Sequence, residues 1–441
     1  MKRKKRGSSD FRYDTGHARV PWAAVGEPVR EDDILEILKF LIPPAEGRAT
    51  AYARQFKRVA EDIRKLCAGA TLAGKLTLGK EVKALEAQAA KMLRAKYALF
   101  LTNATAGFEI GFKFAGLKPG DEVIAPAITF IATIAYPLSI GAKVVLADVD
   151  ARSLNMDPAD VAKRITKKTK VIIPVHLGGY PVDMEPIMRL ARAHGITVIE
   201  DAAHAFGAVY KGQMAGAIGH FGAFSFHEVK NVNSFGEGGL LVTNTPYGKD
   251  FSKSRFLGLD LSRHIRNWLY DVPALKGKGG YFAAGNHSAT EIQAVCLSLQ
   301  MKRLNQIIAK RRAAARYLNR RFSRVEGILT PPLDTASIRS THHLYLLQVD
   351  PAKAGGDVQV LKQKLQAKGV VNIPHFAPLY KFSVMRQLGY DTAAIAKTCP
   401  VSEEAFNRRF THLPLYGLSA DQLAYMADAV IEAVAEMRAG T

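Results

Sequence analysis

The sequence predicts an α/β protein with a three-layer large domain, in which helices cover both faces of a mostly parallel seven-stranded sheet, and a smaller α+β C-terminal domain. One observation is that short apolar runs alternate with helical segments between residues 97 and 245, an order typical of a parallel sheet. Another is that the sequence becomes helical and charged beyond Thr245. The length of 441 residues is sufficient for two domains.

Helices precede the predicted sheet. Apolar periodicity predicts helices over residues 32–42, 51–67 and 82–93, the last from Val82, Leu85, Ala89 and Leu93 at spacings of three and four. The seven predicted strands are residues 97–101, 122–125, 143–146, 171–175, 197–199, 224–226 and 240–242. Helical segments over residues 158–165 and 184–194 fill gaps between them, so we expect both faces of the sheet to be covered.

The C-terminal part begins with a long connecting helix, predicted over residues 290–322 from apolar residues at helical spacing. A strand near residues 343–349 and a terminal helix over 421–437 follow. We therefore divide the chain into a basic, flexible tail (1–30), the N-terminal helices with the large domain (31–285), and the connecting helix with the smaller domain (286–441).

The formal net charge of +21 raises the question of nucleic-acid binding, because clustered Lys and Arg attract phosphate backbones. Only the first six residues carry a compact basic run, and the remaining charge is spread along the chain. Nucleic-acid binding is therefore not expected as the main function. Two explanations stay open: a generally basic host proteome, or attraction of an anionic substrate such as a nucleotide-linked sugar.

The sequence has no run near the roughly 18 apolar residues of a membrane span, and its N-terminus lacks the apolar segment of a secretory signal. We expect a cytoplasmic protein that does not bind membranes. Cys67, Cys296 and Cys399 are an odd number without metal-ligand spacing, so neither a disulfide framework nor a metal site is expected.

An acid, a hydroxyl and a lysine follow two of the predicted strands. Asp201 lies two residues after the β-branched run at 196–199, Ser225 lies near the end of the run at 221–226, and Lys230 lies just beyond that run. Ligands in α/β folds bind at the carboxyl ends of strands. We therefore expect these side chains to face one crevice.

Seven motifs occur in order along the chain: TNATA at 102–106, AITF at 127–130, PVHL at 174–177, EDAAH at 200–204, FSF at 224–226, KN at 230–231 and GEGG at 236–239. In this order and spacing, over roughly residues 75–435, the chain resembles the DegT/DnrJ/EryC1/StrS family of fold-type-I pyridoxal-phosphate enzymes, the sugar and cyclitol aminotransferases. The resemblance implies pyridoxal 5'-phosphate as the cofactor, converted to pyridoxamine 5'-phosphate in the half-reaction.

The resemblance assigns the catalytic roles to Lys230 and Asp201. Lys230 would form the Schiff base with the cofactor and move a proton. Both roles require a site that favours the neutral amine by lowering its pKa from the ordinary value of about 10.4. Asp201 would pair with the protonated pyridine nitrogen, and His204 would lie near the phenolic oxygen. Helix capping by Asp201 and a structural role for His204 stay open.

The remaining cofactor contacts follow from the same resemblance. Small residues at a strand-to-helix turn let backbone N–H groups bind an anion, so Ala104 and Thr105, with Ser225, are expected to hold the phosphate. Phe130 would stack on the pyridine ring. Asn286 would reach the phosphate of a neighbouring subunit, which implies a homodimer with shared sites. The structural alternatives are a helix cap at Thr105, a buried hydroxyl at Ser225, a core side chain at Phe130 and a loop residue at Asn286.

The implied reaction moves an amino group from an amino-acid donor, glutamate or glutamine, to a small-molecule keto substrate, either a keto-sugar, expected to be nucleotide-linked, or a cyclitol. Two positions and one stretch depart from the family: Ala104 replaces a frequent Gly, Ser288 replaces a frequent Arg, and residues 45–73 are longer than this region usually is in the family. The sequence around Ser288 is similar to 3-amino-5-hydroxybenzoate synthases, so a dehydrating, aromatising enzyme is one alternative. A non-catalytic regulatory or binding protein on the same fold is the other.

Overall fold

A computed structural model describes residues 29–70, 76–261, 272–373 and 375–440. The helices are α1 (Glu31–Leu41), α2 (Ala49–Ala68), α3 (Lys80–Leu93), α4 (Ala104–Ala115), α5 (Ala132–Ser139), α6 (Pro158–Arg164), α7 (Met184–His194), α8 (Phe251–Arg255), α9 (Glu291–Lys302), α10 (Leu304–Phe322), α11 (Pro351–Ala354), α12 (Val358–Ala367), α13 (Ser383–Gln387), α14 (Thr392–Lys397), α15 (Pro400–Glu404) and α16 (Ala420–Ala439). The strands are β1 (Tyr97–Leu101), β2 (Glu122–Pro126), β3 (Lys143–Ala147), β4 (Thr169–Ile172), β5 (Thr197–Asp201), β6 (Val209–Tyr210), β7 (Gln213–Met214), β8 (Phe221–Ser225), β9 (Gly239–Thr243), β10 (Leu275–Gly277), β11 (Gly280–Phe282), β12 (Ile328–Leu329), β13 (Ile338–Arg339), β14 (Tyr345–Val349) and β15 (Phe410–Leu413).

The large sheet has seven strands in the order β1-β9-β8-β5-β4-β2-β3. Neighbours from β3 through β8 pair in parallel, whereas β9 is antiparallel to both β8 and β1. Each of the seven predicted strands lies in this sheet. The predicted mostly parallel α/β fold is therefore confirmed.

Alternating side chains of the sheet enter two apolar clusters, which produces the three layers. On β9, Leu241 packs with the α4 side of the sheet, and Leu240 packs with α3 and α9 on the other side. Gly107 brings α4 close to the sheet, since a Cβ there would lie 3.1 Å from the Cβ of Ala223. The start of α4 is thereby fixed against the carboxyl ends of the strands.

A second apolar core lies in the C-terminal part of the chain. The antiparallel sheet β12-β14-β15 packs against side chains of α10, α12 and α16. This agrees with the predicted smaller α+β unit. The boundary at residue 286 stays a prediction.

Two predicted elements differ from the structure. The single helix predicted over residues 290–322 was wrong: it is broken at Arg303, which has φ −99° and ψ 0° and donates its N–H to Gln300 O, three residues back. Such a tightened turn ends α9, and α10 begins at the next residue, Leu304. Strand β4 ends at Ile172 rather than at residue 175, because Pro174 has no N–H to extend the ladder.

The first two predicted helices are present as α1 and α2. Residues 1–28 of the predicted basic tail lie outside the described residues. Within the described ranges, no helix combines the length and apolar character needed to cross a membrane.

A buried carboxylate organises the loop that follows β7. Glu200 is fully buried and accepts hydrogen bonds from the backbone N–H groups of Gly216 (2.8 Å) and Ile218 (2.7 Å). His176 Nε2 lies 2.9 Å from the same carboxylate, and His176 Nδ1 accepts from Val182 N–H, so Nε2 carries the proton and donates. Glu200, the residue before Asp201, thus ties the loop after β7 and the segment around His176 to the end of β5.

We expect Glu200→Gln to destabilise the fold by about 2–3 kcal/mol, because the new amide nitrogen would face donors and leave them without an acceptor. The measurement is the urea midpoint, followed by circular dichroism. The matched control is Glu61→Gln on the exposed surface of α2, which should leave the midpoint unchanged. Equal midpoints for the two variants would contradict the role assigned to Glu200.

Candidate functional site

Two neighbouring parallel strands deliver the predicted side chains to one edge of the sheet. Strands β5 and β8 pair in parallel with Asp201 opposite Ala223, so the carboxyl end of β5 lies beside the end of β8 at Ser225. Lys230 follows in a turn closed by its own N–H, which donates to His227 O at 2.9 Å. The expectation that acid, hydroxyl and lysine share one crevice agrees with this geometry.

Asp201 is held in a fixed orientation below the crevice. It is 5% exposed, and its Oδ2 accepts from Thr133 Oγ1 at 2.7 Å while its Oδ1 accepts from Ala203 N–H at 3.1 Å. Burial raises the pKa of Asp201, and the bonds from Thr133 and Ala203 together with the charge of Lys230 oppose this rise. A cation against Asp201 would favour the carboxylate further.

The side-chain amine of Lys230 has a lowered pKa. Burial lowers the pKa of Lys230, and the nearby carboxylate of Asp201 raises it only in part. Within the described residues, no side chain or backbone group forms a hydrogen bond or ion pair with Lys230 Nζ. Lys230 and Asp201 therefore interact electrostatically but form no direct ion pair.

The start of α4 forms an anion cradle at the same edge. Asn103 is the N-cap, and its Oδ1 accepts from Ala106 N–H at 2.9 Å. The alternative that Thr105 caps this helix is thereby wrong. The N–H groups of Ala104 and Thr105 donate to no acceptor in the described part of the chain, and helix N-termini of this kind bind phosphate.

Gly239 allows this cradle to form. A Cβ on Gly239 would lie 2.1 Å from the carbonyl carbon of Asn103 and 2.6 Å from the N of Ala104, so β9 can approach the helix only with glycine there. Ser225 is the ladder partner of Gly239 on β8. The Ser225 hydroxyl therefore lies at the edge that carries the helix start.

Aromatic rings border the crevice. Phe130 is 52% exposed, so the alternative of a core phenylalanine was wrong, and its ring lies 5.6 Å from that of Phe376. His204 is buried and nearly parallel to Phe376, with ring centroids 6.0 Å apart. Gly178 N–H donates to His204 Nδ1 at 3.3 Å, which leaves the His204 Nε2 proton available as a donor.

Two contributors were missed by sequence reasoning, Thr133 and His343. His343 Nδ1 lies 2.9 Å from Asn231 Oδ1, and its ring is 4.4 Å from that of His204. Burial and the charge of Lys230 lower the pKa of both histidines, so both are neutral at pH 7. Thr133 lies three residues after the AITF motif, and this proximity was the only feature of the sequence that could have pointed to it as a site residue. No motif marks His343.

Asn286 is exposed and lies on a segment that runs beside the end of β1. Its Oδ1 accepts from Ser288 N–H at 3.2 Å, and the following His287 O accepts from Thr102 N–H at 3.1 Å. Its contact with a second subunit stays a prediction. Residues 262–271 lie outside the described ones.

The arrangement fits pyridoxal phosphate on the chemistry of its groups. Asp201 can accept from a protonated ring nitrogen, and Lys230 has an unpaired amine for an aldehyde. The free N–H groups of Ala104 and Thr105 suit a phosphate, and the open face of Phe130 suits a flat ring.

Comparison with known proteins gives one consistent result. The DegT/DnrJ/EryC1/StrS aminotransferase family matches residues 57–433. The spore coat polysaccharide biosynthesis protein SpsC of Bacillus subtilis (strain 168) is 34% identical over 381 residues, which cover 83% of this chain and 92% of SpsC. A pleiotropic regulatory protein of Geobacillus stearothermophilus is 31% identical over 384 residues, covering 86% of this chain and 96% of that protein.

Solved structures of similar shape include enzymes with related chemistry. A 3-amino-5-hydroxybenzoic acid synthase superposes with a TM-score of 0.73 at 28% identity, covering 82% of this chain and 93% of that one. The pyridoxal-phosphate form of the sugar aminotransferase Spr1654 from Streptococcus pneumoniae gives 0.71 at 27%, with coverage of 86% and 96%. DesV of S. venezuelae, solved with a ketimine intermediate, gives 0.70 at 26%, with coverage of 88% and 96%.

We expect Thr133→Val to weaken binding of pyridoxal phosphate roughly 10–100-fold, because it removes a hydrogen bond to a charged carboxylate worth about 1.5–3 kcal/mol. The measurement is the Kd of the cofactor for the cofactor-free protein, from an absorbance titration. The control Thr245→Val lies near the opposite end of β9 and should bind the cofactor like the wild type. Unchanged affinity in Thr133→Val would contradict the role of Thr133 in holding Asp201.

Proposed function

Because this chain belongs to the DegT/DnrJ/EryC1/StrS aminotransferase family, we propose that it transfers an amino group from glutamate or glutamine to a nucleotide-linked keto-sugar or a cyclitol. The observation that carries the proposal is the unpaired, buried amine of Lys230 across from the buried carboxylate of Asp201. When bound, pyridoxal phosphate supplies the electron sink that makes a carbon next to the amino group acidic.

Lys230 and Asp201 carry the chemistry in this proposal. Lys230 Nζ would hold the cofactor and, once released by the donor's amine, would act as the base that moves a proton at the carbon bearing the amino group. The lowered pKa of Lys230 supports this, because a neutral amine is both a nucleophile and a base. Asp201 keeps a proton on the ring nitrogen, and Thr133 fixes the plane of its carboxylate.

The other predicted residues bind and orient. We assign the phosphate to the N–H groups of Ala104 and Thr105 and to the hydroxyls of Thr105 and Ser225, and the ring face to Phe130. We assign His204 Nε2 as a donor to the phenolic oxygen; the lowered pKa of His204 favours the neutral imidazole, in which Nδ1 accepts from Gly178 N–H and Nε2 carries the proton.

We infer a homodimer with shared sites. Helix α9, five residues after Asn286, exposes Ile292 (51%), Val295 (42%) and Leu299 (52%) at helical spacing. An exposed apolar stripe beside the segment that would enter the neighbouring site supports a second copy there. Asn286 of each chain then contacts the phosphate held by the other.

The acceptor class rests on two supports. The first support is similarity: SpsC is a spore coat polysaccharide biosynthesis protein, and Spr1654 is described as a sugar aminotransferase. The net charge of +21 favours an anionic acceptor such as a nucleotide-linked sugar.

We expect Lys230→Ala to abolish transamination and the covalent attachment of the cofactor. The wild-type holoenzyme, treated with borohydride, should gain the mass of reduced cofactor on the peptide that contains Lys230. The variant should gain none, although it should still bind the cofactor through the phosphate contacts. The matched control Lys253→Ala should gain the mass like the wild type. A mass gain that persists in Lys230→Ala would place the attachment on another lysine and contradict the role of Lys230.

The donor half-reaction separates transamination from dehydration. Without an acceptor, glutamate or glutamine should yield one 2-oxo acid per active site and bleach the visible absorption of the bound cofactor. Adding a keto-sugar nucleotide should then restore the absorption and give an amino-sugar. A holoenzyme that forms no 2-oxo acid from any amino acid would contradict the transfer proposed here and favour the dehydrating alternative.

A further inference from the structure

A second cavity lies away from the crevice of Lys230, between α10 and the segment that carries β6 and β7. Its volume is about 540 Å³, within the range of about 300–1,000 Å³ that small-molecule sites occupy. Its wall is apolar and built from three methionines with Leu304 and Ile308 of α10; the methionines are Met92, Met214 and Met301. None of the residues assigned above to the cofactor lines it.

Gly207 lets the segment approach α10 closely at the wall of the cavity. It has φ +99°, and a Cβ there would lie 2.7 Å from Ile308 Cδ1 and 3.2 Å from Leu304 Cδ2. A side chain at this position would collide with α10 and displace the cavity wall. The methionine side chains are flexible and polarisable, so the wall can adapt to aromatic or aliphatic groups.

Three arginines stand at the border of the cavity. Arg312 and Arg316 are one turn apart on α10, and Arg339 ends β13. Burial lowers the pKa of Arg312; Asp334 opposes this, and the charges of Arg339 and Arg316 add to it. All three arginines line the cavity, and the charges of Arg316 and Arg339 both act on Arg312.

The local anions do not neutralise this group. Arg312 Nε lies 3.2 Å from Asp334 Oδ2, and Arg312 also donates to Ser340 O. Asp334 is shared with His342, whose Nε2 lies 3.3 Å from Asp334 Oδ1. In the described ranges of the chain, the guanidinium groups of Arg316 and Arg339 form neither an ion pair nor a hydrogen bond.

We propose that this cavity binds a small amphipathic organic anion, with its apolar body against the methionines and its acidic head between Arg316 and Arg339. An apolar wall alone would accept neutral molecules, and an arginine cluster alone would accept any phosphate. Their combination requires both properties in one ligand, because guanidinium groups bind oxyanions strongly beside a surface that excludes water. This site is independent of the proposed transamination.

The test uses the cofactor-saturated protein and the fluorescent probe 8-anilinonaphthalene-1-sulfonate, an aromatic body with an anionic head. We expect saturable binding and a Kd at least tenfold weaker in the double variant Arg316→Gln/Arg339→Gln. The matched control Arg320→Gln/Arg324→Gln removes the same charge from two exposed positions, one in the last turn of α10 and one just beyond it, which do not line the cavity, and should stay within twofold of the wild type. Equal losses in the two double variants would overturn the proposal, since they would show attraction by overall charge alone.

Two further measurements address the apolar half of the site. Ala309→Trp, at an exposed position on the cavity wall, should fill the space and weaken probe binding at least tenfold. The uncharged analogue N-phenyl-1-naphthylamine should bind the wild type at least tenfold more weakly than the sulfonate. Unchanged binding in Ala309→Trp, or equal binding of the neutral analogue, would overturn the proposal.

Discussion

The structure depends on one electrostatic relation, between a buried carboxylate and a buried amine that do not touch. Asp201 and Lys230 each lose hydration, and burial pushes both toward their neutral forms. Direct contact would restore both charges as an ion pair, yet the described structure keeps them apart. A cationic ring nitrogen on Asp201 and an aldehyde on Lys230 would satisfy both groups, so the geometry favours a ligand that bridges them.

The end of β5 shows how the fold supports this relation. Adjacent residues of a strand point to opposite faces, so Glu200 and Asp201 separate. Glu200 turns toward backbone donors and His176, where it is fully satisfied and fixes the loops around it. Asp201 turns to the crevice with Thr133 as its support. One carboxylate thus stabilises the scaffold while its neighbour is left for chemistry.

Much of this could be predicted from sequence, because buried parallel strands are continuous apolar runs and the chemistry follows their ends. The break at Arg303 could not, since Leu297, Met301, Leu304 and Ile308 keep helical spacing across it. Thr133 was missed because it meets Asp201 from 68 residues away, through docking of α5 that no local pattern encodes. The cofactor roles themselves came from the motifs and remain proposals.

The crevice also depends on the C-terminal part of the chain. Asn231, next to Lys230, contacts His343 through Oδ1 and donates to Thr341 O, and Thr341 Oγ1 donates to His204 O. The segment before β14 is thereby bonded to the loop that carries the amine. Thr341 and His343 thus reach the crevice from a sequence-distant segment without a motif, whereas Asp201, Ser225 and the start of α4 lie at strand ends that motifs mark. Because of this difference, the second group could be predicted from the sequence and the first could not.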